Sequence, residues 1–402
     1  MACIGDRVVR RYTLFESDFM KRFLLVSKYA FYPPHWKAFV EICGSYNVEG
    51  SIISESPPTL PDVHKQLGWI GPEEAKKEAC SPQIFHVPVV GRRKQKAWFK
   101  KTLERINPDS IWIQQEPTDA LTLSTLKYFR NNDCVNIVCS VCENIFKDGS
   151  WKKKFECRRL WPRLNGLLAT AQTSIDGVRE AGMPKTVPAQ TLVAGMEGPP
   201  ESVSKLQIPV DLEHKRFVVG FAGRICEEKG WKVLLHALAN LHDHCCVVLA
   251  GSGPQDQLLT DWIREKKLHD RVVPLGLLPK DKLWQFYHSV DCLVLPSLTL
   301  PRWKEQFGGV LADAMAMGVP IVGSDSGSIP EVVGPAGLIV PEADVQALAA
   351  AIRRMDQEPE LHRKFSQAGR RRFLEEFSIA AYAKKIATSL NLPHRATKSV
   401  AA

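Results

Sequence analysis

The sequence predicts an α/β protein made of two doubly wound, Rossmann-like domains facing each other across a cleft. Three observations carry that reading. From Phe23 onward, short apolar runs alternate with segments of helical periodicity, the pattern of parallel strands covered by helices. A Pro/Gly/Ser-rich stretch, Gly195–Pro209 (GMEGPPESVSKLQIP), interrupts the alternation and reads as an interdomain linker. The alternation then restarts, and 402 residues are too many for one ordinary core.

Taken in order, residues 1–19 are polar and unpatterned, and are expected to be a disordered extension or the product of a start codon placed too early. They lack the apolar core and small-residue cleavage site of a signal peptide. An N-terminal domain over 20–205 follows. Its strands are FLLVS, NVEGSII, IFHVPV, SIWIQ, VNIVCS and GLLATAQ, and its helices include KQKAWFKKTLERI and TLSTLKYFRNN. A C-terminal domain over 206–375 reads as FVVGFAG, CCVVLAG, RVVPLG, DCLVLPS, PIVGSD and GLIVP with helices between. Residues 376–392 include the amphipathic AYAKKIATSL, expected to cross back onto the first domain, and the chain frays from Pro393.

Composition narrows the function. The chain is 45% apolar and 24% charged, as soluble globular proteins are. It has no apolar run of the roughly 18 to 20 residues that span a bilayer. Eleven cysteines, odd in number and set in apolar runs, read as reduced thiols and place the chain in the cytoplasm. Cys139 and Cys142 form a lone C-x-x-C with no second pair at metal-ligand spacing, so both are read as apolar strand residues. A net charge of +9 favours anionic partners. Nucleic acid is not among them, since no recognition helix, zinc-finger spacing or aromatic RNA-binding signature is present. Two basic-aromatic segments, GRRKQKAWFKK and WKKKFECRRLW, suit peripheral contact with an anionic membrane at its inner face. Their simpler reading is a solvated helix face with Trp98 and Phe99 turned to the core.

Two segments carry chemistry. In FAGRICEEKGWKVLLHAL a strand ends at Ala222-Gly223, and Arg224 and Lys229 flank a helix that opens near Gly230. Two fixed cations beside a helix N-terminus bind a diphosphate and stabilise charge on a departing one; the plainer reading is a basic loop facing solvent. In PRWKEQFGGVLADAMAMGVP a loop carries Glu305, and Phe307-Gly308-Gly309 turns into a helix bearing Asp313. Glycines let the backbone approach a ligand, and the carboxylate pair suits the vicinal hydroxyls of a sugar and a ribose; the plainer reading is an amphipathic helix behind a Gly loop.

On these residues, 216–345 resembles the donor domain of retaining GT-B glycosyltransferases of family 4. The family's Gly-Arg…Lys-Gly loop stands here as Gly223-Arg224…Lys229-Gly230. Its Glu-x-Phe-Gly-x4-Glu-Ala-x-Ala-x-Gly-x-Pro run stands as Glu305-Gln306-Phe307-Gly308 through Asp313-Ala314 to Pro320. The resemblance implies a GT-B fold and transfer of a sugar from a nucleotide-sugar donor, with retention, to a glycan, lipid-linked or small-molecule acceptor. Cell-envelope or exopolysaccharide synthesis is the expected setting. Arg224 and Lys229 would hold the diphosphate, Glu305 would act on the transferred sugar, and the Phe307, Gly308 and Gly309 backbone would contact sugar or phosphate oxygens. Asp313 takes the place of the ribose-binding glutamate, one methylene shorter. No metal and no cofactor are expected.

The resemblance gives the N-terminal domain to the acceptor. Where the family often has a Gly-rich loop after the first strand, this chain has KYAFYPPHWKAF, which offers Tyr32, His35 and Lys37. His35 has the pKa range of a base, although a loop histidine is ordinarily just solvated. Glu116 and Asn144 each follow a strand, with Glu143 and Asn144 equally readable as helix caps. A sugar-nucleotide epimerase on the same fold and a non-catalytic nucleotide-sugar-binding scaffold are the competing readings; AGSGPQD lacks the third glycine of a dinucleotide-binding loop.

Overall fold

The computed structural model describes residues 20–55, 71, 75–77, 80–141, 151–193, 195–208, 217–301 and 303–395. The first sheet holds β1 (Lys21–Ser27), β2 (Val48–Ser54), β3 (Gln83–His86), β4 (Ser110–Gln114), β5 (Asn136–Val141), β6 (Gly166–Ala169) and β7 (Ala189–Thr191). All are parallel, in the order β3-β2-β1-β4-β5-β6-β7. Its helices are α1 (Pro33–Ser45), α2 (Arg92–Ile106), α3 (Ala120–Tyr128), α4 (Trp151–Leu160) and α5 (Gln172–Glu180). The central strands are continuous apolar runs because helices cover both faces; β4 (SIWIQ) is buried at every position. The three-residue β7 has no apolar run, which is why the sequence gives no sign of it.

The second sheet holds β8 (Phe217–Ala222), β9 (Cys245–Ala250), β10 (Val272–Gly276), β11 (Cys292–Leu295), β12 (Ile321–Ser324) and β13 (Gly337–Val340), in the order β10-β9-β8-β11-β12-β13. Its helices are α6 (Trp231–Leu238), α7 (Asp256–Glu265), α8 (Lys280–His288), α9 (Gly309–Met317), α10 (Ile329–Val333), α11 (Val345–Gln357) and α12 (Pro359–Arg372). The last helix, α13 (Ile379–Ser389), packs on the first sheet. Its Tyr382 and Ile386 share a core with Trp36, Phe39 and Ile42 of α1. On the opposite face of that sheet, Phe99 of α2, Leu126 of α3 and Leu160 of α4 close a second core, and Trp98 packs against it.

In each sheet the strand order reverses once, between β1 and β4 and between β8 and β11. Crevices outside the strand C-termini at such reversals are where ligands sit in this architecture. Among the described residues, no helix is long and apolar enough to cross a membrane. Cys139 is buried, its thiol directed at the Gln115 carbonyl at 3.4 Å, while Cys142 and the first nineteen residues lie outside the described residues.

Candidate functional site

The best-built site lies at the β8/β11 reversal. β8 ends at Ala222, and Gly223 and Gly230 bracket the loop that carries Arg224 and Lys229. Gly230 has φ +68°, and a Cβ there would fall 1.8 Å from the Pro296 carbonyl oxygen, so the turn tolerates only glycine. Arg224 is exposed and pairs with Glu228 on its own loop, Nη2 to Oε1 at 2.7 Å. Lys229 points inward. Its Nζ lies 2.6 Å from Glu305 Oε2 and 5.1 Å from the centre of the Trp303 ring.

Glu305 is buried at 7% exposure and accepts a second bond from Ser297 Oγ at 3.0 Å, so its carboxylate is held from both β8 and β11 sides. Its own backbone is clamped as well. Ser328 N donates to the Glu305 carbonyl at 3.0 Å, and Gly327, at φ +57°, packs so closely that a Cβ would sit 2.1 Å from that oxygen. Sequence reasoning named Lys229 and Glu305 but assigned them to different parts of the donor; the structure places them in direct contact. It missed Ser297, Gly327 and Ser328. The SDSGS run after β12 is the signal that would have found the last two.

Gly308 stands at φ +69° as the residue before α9, where the amides of Gly309 and Val310 open the helix without an intrahelical acceptor and Leu311 N donates back to the Gly308 carbonyl at 2.8 Å. Phe307 lies edge-on to Phe377, centroids 5.6 Å apart, and Gly309 touches Met196 of the linker across the space a Cβ would take, 3.7 Å away. On the same helix, Asp313 is pushed up to about 7, chiefly by burial, with Lys280 opposing and Glu197 adding to the shift. The Tyr287 hydroxyl beside it is fully buried and, among the described residues, has no hydrogen-bond partner; burial and then Asp313 raise it well above its ordinary value.

Glu197 was not anticipated. This linker carboxylate pairs with Lys37 of α1 and Lys280 at the start of α8, joining the two sheets' helices through one side chain. Burial raises its carboxyl and the two lysines more than reverse that, leaving it below the usual range.

The acceptor-side candidates fare unevenly. The segment after β1 is a helix and not a loop beyond Tyr32, because Pro33 and Pro34 lack amide hydrogens and preset φ for a first helical turn. His35 is therefore corrected from a loop residue to a core one. It is 7% exposed, donates Nδ1–H to the Tyr29 carbonyl at 3.2 Å, and accepts the Gln114 amide on Nε2 at 2.9 Å. Burial lowers it to about 4, so both nitrogens are occupied and the ring is neutral. Tyr32 is 39% exposed, edge-on to His35. Glu116 is half-buried, its carbonyl accepting from Asp119 N and Thr122 Oγ1. Asn144 and Glu143 lie outside the described residues. Gln115, 8% exposed just past β4, has no partner for either amide atom among the described residues.

Residues 204–372 match the family described as glycosyl transferases group 1. The 2-deoxystreptamine glucosyltransferase of Streptomyces kanamyceticus is 30% identical over 218 residues, 53% of this chain and 53% of that protein. The MMP alpha-(1->4)-mannosyltransferase of Mycolicibacterium hassiacum is 33% identical over 201 residues, 46% of this chain and 47% of that protein. The chain thus spans about half the length of the curated relatives it matches. Among solved structures, Anabaena HepE in complex with UDP superposes with a TM-score of 0.66 at 19% identity, covering 92% of this chain and 100% of that one. The lipopolysaccharide outer core galactosyltransferase WaaB superposes with a TM-score of 0.61 at 16% identity, covering 92% and 99%. At such identities the likeness is one of fold, and the fold is GT-B.

Proposed function

We propose, from the premise that residues 204–372 form a glycosyl transferases group 1 domain on a GT-B fold, that this chain transfers a sugar from a nucleotide-sugar donor with retention of configuration. The observation that carries the reading is the buried Lys229–Glu305 pair, set at the β8/β11 reversal beside the glycine turn that opens α9. A diphosphate entering there meets Arg224, Lys229 and the N-terminal amides of α9. These groups supply positive charge to a departing nucleoside diphosphate without a metal ion. Glu305 then faces the sugar, and its negative charge stabilises an oxocarbenium-like transition state. Asp313, lying deeper on α9, is the ribose ligand. The acceptor comes from the first sheet, as a glycan, a small molecule or a lipid-linked group at the cytoplasmic face of a membrane, and the basic helices α2 and α4 support the last.

Glu305→Gln tests this. Turnover, measured as transfer or donor hydrolysis over a panel of nucleotide sugars, is expected to fall about a hundredfold. Affinity for UDP, measured by calorimetry, should hold or tighten, because Lys229 is released from its partner. Wild-type turnover in the variant would remove Glu305 from the chemistry. Inactivity of the wild type across the whole panel would favour a nucleotide-sugar-binding scaffold.

A further inference from the structure

Helices α2 and α3 leave a cavity of about 230 Å³ between them that the donor chemistry does not use. Its floor is apolar: Val87, Phe99 and Leu121 line it, the last two buried. Its walls are cationic. Lys96 and Lys100 stand one turn apart on α2, and Lys127 faces them from the last turn of α3. Lys100 also reaches Glu104 at 3.7 Å, an exposed contact of little strength. Glu55 and Val87 follow the ends of β2 and β3, and Ala120 starts α3 after β4. The mouth therefore opens on the same edge of the sheet as the β1/β4 reversal, where the acceptor is expected. Among the described residues Glu55 is the one acid in the lining. Burial pushes its carboxyl up, Lys28 opposes and Asp119 adds, so it admits a neighbouring anion more easily than an exposed carboxylate would.

We propose that this cavity holds the acceptor as an amphiphilic anion, a lipid phosphate whose chain lies on Val87, Phe99 and Leu121 and whose phosphate is held by Lys96 and Lys100. A free sugar would leave the apolar floor unused, and a fatty alcohol would leave the lysines unused. The volume encloses the head and the first units of a chain, with the remainder passing outward. Naming the ligand an acceptor rests on the glycosyltransferase reading; the binding itself does not.

The test is calorimetry of the full chain with geranyl phosphate below its micelle concentration. Saturable binding is expected, weakened about tenfold or more in Lys96→Ala/Lys100→Ala, since two charge-assisted contacts are lost. Ser124→Trp, at a half-buried position facing the groove, should abolish binding by filling it. UDP binding should be unchanged in both variants, which reports that they fold. The proposal is overturned if both variants bind geranyl phosphate like wild type, or if inorganic phosphate or geraniol binds as tightly. It is equally overturned if phosphatidylglycerol vesicles bind while monomeric geranyl phosphate does not. Because the readout is binding, absence of sugar transfer from every donor would sink the enzymatic reading and leave this result standing.

Discussion

Asp313 ties stability to pH, and ties both to ribose binding under the proposed role of this carboxylate. Its carboxyl, raised to about 7 mainly by burial, is protonated more readily in the folded chain than in the unfolded one. The sign follows: the contribution to stability is full below the unfolded value near 3.8 and is lost as pH rises through 7. Asp313→Asn should therefore gain stability over wild type between pH 5 and pH 8, on the order of 2 kcal/mol once partial exposure is allowed for, by urea unfolding at both pH values. Ribose hydroxyls donate to the carboxylate form, so uridine affinity should rise from pH 6 to pH 8 in wild type and stay flat in the variant. Uridine, unlike UDP, has no phosphate that titrates in this range. A rise that persists in Asp313→Asn would assign the ribose elsewhere. Lys229, Glu305 and Asp313 stand out as candidates in the sequence because each belongs to a local run with glycines at fixed offsets. The Lys229–Glu305 contact was not, since it joins residues 76 apart that meet only once β8 and β11 are neighbours. His35 misled for the opposite reason: its partners Tyr29 and Gln114 are supplied by a loop and by β4.

At the scale of elements, strands were legible wherever they are apolar runs and helices wherever the period is long. β4 coincides with SIWIQ, and α2 extends KQKAWFKKTLERI by two residues. What the pattern does not carry is how loops press on one another. The turn between β12 and α10 reaches back to fix the Glu305 backbone, and Gly327 is the point of closest approach. Gly327→Ala combines strain at φ +57° with a Cβ 2.1 Å from the Glu305 oxygen, and should cost about 2 to 4 kcal/mol. Gly276→Ala is the control: it has φ +67° and nothing within 4 Å of the added Cβ, so only backbone strain of about 1 kcal/mol is expected. If the clamp positions the carboxylate, kcat falls in Gly327→Ala while UDP affinity holds, and neither changes in Gly276→Ala. Equal melting temperatures for the two variants would refute the close contact.

For the whole molecule, two alternating series, a Pro/Gly break and a C-terminal amphipathic helix were enough to read two sheets and the two passages between them; the ion pairs that also tie them were not. Glu197 looks like any acid in a polar linker, yet it carries ion pairs to a helix of each sheet. Glu197→Gln should cost no more than about 1 kcal/mol, because its lysines are largely exposed. Small-angle scattering of the free protein should nevertheless show a larger radius of gyration than wild type, as among the described residues Glu197 pairs with both Lys37 and Lys280. An unchanged radius would mean that the pairs follow domain closure without maintaining it. The chain itself passes between the sheets twice, and both passages lie side by side. Met196 N donates to the Phe377 carbonyl at 2.7 Å, and Gly195 meets Ile379 where a Cβ would stand only 2.9 Å from its Cα. Two tethers pinned at one point act as a pivot: it holds the lobes together there and leaves them rotation rather than separation. Groups carried on the two lobes then approach one another by rotation about that pivot, so bringing them together is a search over angles and not over distance.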